Sequence, residues 1–174
     1  VPDAAGNDDR PVTVATANGA GPRHLAFTSD GKHAYLINEL NSTMTALSFD
    51  DTTGRLTPLQ TLTTRAAGAS GNNTTAEVVV HPTGKWLYGS NRGDNNIVVY
   101  SIDPGTGMLS LVGHTSTQGT TPRNFTIEGS GRFLYAAERT SSSPALVCTT
   151  MLSGTLARRA AGTSAAKVGP CRGA

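Results

Sequence analysis

A hairpin-like unit recurs three times in this sequence at a spacing of about fifty residues. Each copy joins two short apolar runs through a turn that ends in Gly followed by Lys or Arg, and each carries Tyr in its second run. The turn glycines, Gly31, Gly84 and Gly131, lie 53 and 47 residues apart. A repeat of this length is typical of solenoids and β-propellers, so the chain has to be interpreted as an array of repeated units.

The first two copies continue into a second pair of predicted strands. Each continuation consists of a strand-like run, a Gly-containing turn and another run, at 43–50, 51–54 and 56–62 in the first copy and at 96–103, 104–107 and 108–114 in the second. Short β-branched and aromatic runs bounded by Gly, Asp, Asn and Pro predict antiparallel strands joined by tight turns. Four such strands per repeat predict an all-β fold, a β-propeller of which about three four-stranded blades are present.

Three regions follow from this pattern. Residues 1–18 are expected to be the end of a preceding blade or a linker, and residues 19–138 a partial β-propeller with two full blades and the start of a third. The blade pattern stops at Glu138, and residues 139–174 hold five basic and no acidic residues. If suitable GC-rich codons encode residues 138–154, the same nucleotides read two positions later would give a strand and an Asp-Asp-x-x-Gly turn. We therefore expect 139–174 to be a frameshifted tail, poorly ordered or without a blade-like third and fourth strand.

Composition excludes several classes of protein. Only 15% of residues are charged, and no run of about twenty apolar residues predicts a membrane span. The basic tail has no aromatic residue and no dense Lys/Arg run, which disfavours a nucleic-acid partner. Both cysteines, Cys148 and Cys171, lie in the tail without metal-ligand spacing, so neither a metal nor a cofactor is expected. The absence of other cysteines and of a visible signal segment favours the cytoplasm.

Charged residues cluster at the open ends of the three predicted hairpins. Seven or eight positions from the turn glycines lie Arg23, His24, Glu39, Glu77, Arg92, Arg123 and Asn124. The inner strands of propeller blades surround a central channel, so these side chains are predicted to meet at one mouth. A cation-rich mouth suits a small anionic ligand. The alternative is that these groups only form hydrogen bonds and ion pairs with one another and with the backbone at the rim, without binding a ligand.

At these residues the sequence resembles a known family. Gly21-Pro-Arg-His24, Asp30-Gly31 and Asn38-Glu-Leu40 resemble the seven-bladed propeller lactonases, which include propeller-type 6-phosphogluconolactonase and fungal carboxy-cis,cis-muconate cyclase. Further matching blocks follow in order at 75–77, 81–84, 90–93 and 121–125. The resemblance covers about residues 19–137. A closed ring of seven blades needs roughly 350 residues, so we expect a C-terminal fragment that requires a missing N-terminal half for closure and has little activity alone.

The resemblance also implies an activity and roles for the rim residues. Arg23 and Glu39 match a conserved Arg and Glu of the family, and a further Arg is placed at Arg92, with Arg123 as second choice. The family also has a conserved His in an earlier blade, and this sequence contains no counterpart of it. The implied reaction is hydrolysis of a sugar lactone, 6-phosphogluconolactone to 6-phosphogluconate. In this interpretation the catalytic residues are Glu39, His24 and Arg23, with Glu39, alone or with His24, activating water, and the substrate-binding residues are Arg92, Arg123, Asn124 and Glu77.

Two alternatives to a lactonase stay open at this point. The first is a non-catalytic propeller module that binds an anionic ligand or a protein, because the fold alone does not separate binding from catalysis. The second is a muconate-type lactonising cyclase.

Overall fold

The computed structural model describes residues 13–139, 146–152 and 155–158. Every regular element in this part of the chain is a β-strand, and the strands form three four-stranded antiparallel sheets. Sheet 1 contains β1 (Pro22–Phe27), β2 (His33–Asn38), β3 (Thr43–Asp50) and β4 (Arg55–Thr63). Sheet 2 contains β5 (Thr75–Val80), β6 (Trp86–Asn91), β7 (Asn96–Ile102) and β8 (Leu109–Ser116). Sheet 3 contains β9 (Pro122–Ile127), β10 (Phe133–Glu138), β11 (Leu146–Leu152) and β12 (Thr155–Arg158).

Within each sheet the strands lie side by side in chain order, as in a propeller blade. The prediction of three consecutive antiparallel blades over residues 19–137 is therefore confirmed, and the described residues contain no helix. The hairpin turns also form where the repeat placed them. Gly31 and Gly84 have φ of 68° and 71°, a left-handed conformation in which a side chain is costly.

The middle sheet is apolar on both faces and holds the three blades together. Along β7, Ile97 and Val99 pack against sheet 3, whereas Val98 and Tyr100 on the opposite face pack against sheet 1. This two-residue alternation is the ordinary consequence of strand geometry. The sheet 1–sheet 2 core is completed by Tyr35, Ile37, Met44, Ala46, Val78 and Leu87, and the sheet 2–sheet 3 core by Tyr88, Phe125, Leu134 and Ala136.

Polar contacts join neighbouring blades at the turn ends of their hairpins. The hydroxyl of Tyr35 in sheet 1 donates to the carbonyl of Gly107 in sheet 2 at 3.0 Å. Nε2 of His81 in sheet 2 lies 2.9 Å from the carbonyl oxygen of Gly131 in sheet 3. Burial raises the pKa of Tyr35 to about 12, which keeps its hydroxyl protonated as a donor.

The third sheet corrects one expectation. β11 pairs with β10 and β12 pairs with β11, so the prediction that the tail lacks a third and fourth strand is wrong. The run 146–152 is rich in strand-forming residues, and an open strand edge pairs with any compatible run. The frameshift itself stays a prediction, and residues 1–12, 140–145, 153–154 and 159–174 lie outside the described part. No helix in that part is long and apolar enough to cross a membrane.

Candidate active site

A β-bulge at the start of β1 positions the first two rim side chains. Pro22 pairs with Asn38 and His24 pairs with Ile37, so Arg23 is an extra residue in the ladder. A bulge interrupts the alternation of side chains along a strand. Consecutive residues Arg23 and His24 consequently both reach toward sheet 2.

The same irregularity recurs in the other two inner strands. In β9 the extra residue is Arg123, the repeat equivalent of Arg23, and in β5 the register shifts between Thr75 and Val78. Counting residues outward from the turn glycine correctly predicts which side chains lie at the open end of the hairpin. It pairs each residue of the first strand, however, with a partner one position too far along the second strand. The bulges are missed from the sequence because none of them is marked by a glycine.

One carboxylate at the mouth is held by two arginines. Glu39 lies just beyond β2, and its Oε2 is 3.2 Å from Nε of Arg23. Its Oε1 accepts a short hydrogen bond from Nη2 of Arg92, which follows β6 in the next sheet. The prediction that Arg23 and Glu39 meet across one hairpin, with Arg92 supplied by the adjacent blade on the same rim, is confirmed. Arg23 also donates through Nη1 to the carbonyl of Ala76 at 2.7 Å.

The arginines determine the protonation state of Glu39. The hydrogen bond from Arg92 lowers the pKa of this carboxyl most, and the positive charges of Arg92, Arg23 and Arg123 lower it further against the opposing effect of burial. Glu39 is therefore a carboxylate at neutral pH and a weak proton acceptor. Its contacts fit the orientation of two guanidinium groups better than the activation of water.

A second carboxylate links all three blades. Oε1 of Glu77 in sheet 2 lies 2.9 Å from Nδ1 of His24 in sheet 1. Its Oε2 accepts a hydrogen bond from the amide of Asn124 in sheet 3. The Glu77 side chain is only 13% exposed, and its Oε1 also accepts from the backbone N–H of Val78. Of the predicted binding residues, Glu77 thus contacts the His24 ring directly and Asn124 holds Glu77 from the third blade, so together they support the imidazole.

The His24 ring is 41% exposed and accessible to a ligand at the mouth. A carboxylate at Nδ1 favours the tautomer whose Nε2 carries the lone pair. Nη1 of Arg23 lies 3.2 Å from that Nε2. Arg123 is exposed and has no carboxylate within ion-pair distance among the described residues, so it is available to an anion. All seven predicted residues therefore lie at one mouth, within the described part of the chain.

Within residues 13–139, no group of three or more His, Cys, Asp or Glu side chains could hold a metal ion. The arrangement at the mouth is suited to proton transfer by an imidazole and to charge stabilisation by arginines. Three antiparallel four-stranded sheets, packed face to face with their first strands carrying one charged cluster, define a β-propeller unit with that cluster at its mouth.

The chain belongs to the family of seven-bladed β-propeller lactonases, because the family model for lactonase, 7-bladed beta-propeller, matches residues 2–169. A 6-phosphogluconolactonase of Serratia proteamaculans (strain 568) is 37% identical over 128 residues, covering 74% of this chain and 38% of that protein. A 6-phosphogluconolactonase of Sodalis glossinidius (strain morsitans) is 36% identical over 146 residues, covering 84% and 44%.

A solved structure shows the same relationship. The structure of Pseudomonas aeruginosa periplasmic gluconolactonase, PpgL, superposes with a TM-score of 0.77 at 34% identity, covering 83% of this chain and 40% of that protein. The chain thus spans about two fifths of the length of these relatives. The predicted family and the predicted propeller fold are confirmed.

Proposed function

We propose that this chain supplies the catalytic mouth of a lactonase that hydrolyses 6-phosphogluconolactone to 6-phosphogluconate within a propeller of the relatives' length. The names of similar proteins support lactone hydrolysis, with both 6-phosphogluconolactonases and a gluconolactonase among them. The observation that carries the proposal is the 2.9 Å contact between His24 and Glu77, because it provides an oriented base beside three arginines.

In the proposed reaction, Nε2 of His24 accepts a proton from water as the oxygen attacks the lactone carbonyl. The developing oxyanion is stabilised by Arg23, which has to turn from His24 to the substrate for this step. Collapse of the tetrahedral intermediate breaks the ring C–O bond, and the imidazolium returns the proton to the departing alkoxide. The products are a hydroxyl and a carboxylic acid, which releases its proton to solvent to become the carboxylate, and neutral His24 is regenerated.

Glu39 has a different role in this proposal. Its lowered pKa makes it a poor general base, whereas its contacts with Arg23 and Arg92 hold both cations at the mouth. The role of Glu39 as the base, implied by the family resemblance, stays a prediction that kinetics can separate from the role proposed for His24.

The test compares His24→Gln and Glu39→Gln in a full-length propeller containing this chain, assayed with 6-phosphogluconolactone and gluconolactone. His24→Gln should lower kcat by about 10² or more, the usual scale of general-base catalysis. Glu39→Gln should mainly raise KM. His114→Gln is the control, because this ring contacts the Thr64 carbonyl from the outer strand β8. A larger kcat loss in Glu39→Gln would make Glu39 the base.

Ligand binding without hydrolysis by the wild-type propeller would favour the non-catalytic binding module. Little activity of the isolated chain stays a prediction, as does a cytoplasmic location in carbohydrate metabolism, since the similar Pseudomonas aeruginosa protein is named periplasmic.

A further inference from the structure

A bridging peptide, the unit between Thr74 and Thr75, links the backbones of Glu39 and Arg92. Its carbonyl accepts from the N–H of Arg92 at 2.8 Å, and its N–H donates to the carbonyl of Glu39 at 3.1 Å. The hydroxyl of Thr75, which is fully buried, also donates to the carbonyl of Asn38 at 2.9 Å. The two residues whose side chains pair across the blade boundary are therefore also joined through their main chains.

This double link is specific to the boundary between blades 1 and 2. Counted from the turn glycines, the equivalent peptide units are Gly21–Pro22 in blade 1 and Thr121–Pro122 in blade 3. Their carbonyls accept from the N–H groups of Glu39 and Arg139 in the same way. Proline has no N–H, however, so neither unit can donate to the preceding blade. Of the three units, only the bridging peptide can hold both sides of a blade boundary.

Asn73 fixes the bridging peptide from the preceding position. Its Oδ1 accepts from the backbone N–H groups of Gly93 and Asp94 at 2.9 and 3.0 Å. Its Nδ2 donates to Oδ1 of Asn91 and to Oγ of Ser42 at 2.9 and 3.0 Å. These four bonds use the whole hydrogen-bonding capacity of the amide. The partners lie in the β2–β3 turn of blade 1 and at the β6–β7 turn of blade 2, so one side chain is bonded to both blades.

The chain before the bridging peptide packs directly on the backbone that follows Arg92. A Cβ at Gly93 would lie 2.0 Å from the carbonyl oxygen of Asn72 and 2.9 Å from Cα of Asn73, so only glycine permits this approach. The repeat equivalents of Asn73 are Ala20 and Thr120. Neither side chain can form the four bonds of an amide, so a blade of this fold does not require asparagine here.

The guanidinium of Arg92 depends on this backbone support. Its Nη2 donates to Oε1 of Glu39, and its buried Nε has no partner within the described part of the chain. Arg65, by contrast, forms a bidentate pair with Asp94 at 2.9 and 2.8 Å and also donates to backbone carbonyls. The position of Arg92 is consequently determined by Glu39 and by the main chain from which its side chain projects.

We propose that Asn73 is a positioning residue of the active site. By fixing the bridging peptide, it determines the separation of the Glu39 and Arg92 backbones and hence the direction in which the Arg92 guanidinium faces the substrate. This inference rests on the proposed function and deepens it, because it assigns the support of a substrate-binding cation to a residue that lies outside the charged cluster. Loss of Asn73 should therefore affect KM more than kcat.

The first test measures the ion pair itself, by NMR titration of the Glu39 carboxyl carbon in a full-length propeller containing this chain. The hydrogen bond from Arg92 lowers the pKa of Glu39 most, so this pKa reports on the position of Arg92. In Asn73→Ala it should rise toward the usual range of a glutamate. Asn72→Ala is the matched control, because this neighbouring side chain is exposed, and its Glu39 pKa should equal that of wild type.

An unchanged pKa of Glu39 in folded Asn73→Ala would overturn the proposal. If Asn73→Ala does not fold, Ser42→Ala replaces it, because this change removes only the blade 1 contacts of the Asn73 side chain and of its carbonyl. The pKa of Glu39 should then rise by a smaller amount, and a wild-type value in Ser42→Ala would equally contradict the positioning role.

The second test is kinetic and separates positioning from a general effect on the fold. Asn73→Ala should raise KM for 6-phosphogluconolactone about fivefold or more, the scale of a lost hydrogen bond, with kcat within about twofold. Added to Arg92→Gln, it should raise KM by no more than about twofold, because both changes act through the same cation. An undiminished increase in that background would reject the assignment. A raised Glu39 pKa in a propeller without lactonase activity would retain the positioning role and remove the reaction.

Discussion

The carboxylate of Glu77 holds the imidazole of His24 across a blade boundary, with 2.9 Å between Oε1 and Nδ1. Its other oxygen is held from the opposite side by Asn124 in the third blade. A single side chain of the middle blade therefore sets the position of a ring in the first blade, and the third blade contributes to the same contact.

Replacing Glu77 by Gln should slow hydrolysis in a full-length propeller. The neutral amide no longer favours the His24 tautomer with its lone pair on Nε2, so kcat should fall about tenfold or more. Asn124→Ala should give a smaller change in the same direction. Steady-state kinetics measures both losses, and a Glu77→Gln enzyme with unchanged kcat would remove the support role.

The stabilisation from Glu39 should depend on pH. The pKa of Glu39 is lower in the folded chain than in the unfolded chain, so its contribution is present above the unfolded pKa and is lost as the pH falls through the folded pKa. Glu39→Gln should thus be less stable than wild type at pH 7, by about 1 kcal/mol or less for a partly exposed pair, and the difference should shrink toward pH 3. Urea unfolding at both pH values measures this, and a difference that grows in acid would contradict it.

Glu138 should show the opposite dependence. It is 4% exposed, neither of its carboxyl oxygens has a hydrogen-bond partner within the described part of the chain, and burial raises its pKa although the nearby Thr117 hydroxyl lowers it somewhat. A raised pKa favours the folded state below the unfolded pKa, and that advantage is lost as the pH rises through the folded pKa. Glu138→Gln should therefore raise stability at pH 7 by about 1 kcal/mol and change little at pH 4. Thermal unfolding at the two pH values measures the effect.

The other two blades suggest a second substitution to test at Glu138. Asn38 and Asn91 occupy the equivalent places, so Glu138→Asn is a matched comparison for Glu138→Gln. If both variants are less stable than wild type at pH 7, Glu138 does not carry an uncompensated buried carboxyl.

Two turn glycines offer a test of blade contact. Gly84 and Gly131 have φ of 71° and 74°, so alanine is strained at either position. A Cβ at Gly84 meets nothing within 4 Å, whereas one at Gly131 would lie 2.6 Å from the His81 ring. Gly84→Ala should cost about 1–2 kcal/mol. Gly131→Ala should cost about 1–3 kcal/mol more because it separates sheets 2 and 3. Equal losses in denaturant unfolding would show that the His81 contact contributes nothing.

The repeat in the sequence was sufficient to predict the blades. Turn glycines and alternating apolar runs placed the strands of sheets 1 and 2 within one or two residues, because both signals are local. The end of the third blade was not predicted correctly. The run 146–152 is compatible with a strand and Ser153-Gly154 is a turn signal, but this copy lacks the longer turn found in the other two, so the repeat pattern predicts an end at Glu138.

The clustering of the charged side chains at one end of the hairpins was predicted from the sequence, whereas most of their contacts across blade boundaries were not. Arg23, Glu39 and Arg92 are predicted to lie together because each is eight residues from a turn glycine, and this spacing can be counted in the sequence. Which carboxylate contacts which cation depends on bulges and on the lateral spacing of blades, and neither has a sequence signal here. The same limitation hid Asn73, whose four side-chain hydrogen bonds hold the turn after Arg92 once the sheets pack.

The bulge repeated at the start of each inner strand has an evolutionary consequence. At Arg23 and Arg123 the chain presents a side chain at the mouth from a residue that lies outside the packed cores of the blades. Mutation at these positions can change the charge and shape of the mouth with little loss of folding stability. A ring of such blades can therefore diverge toward new ligands one blade at a time.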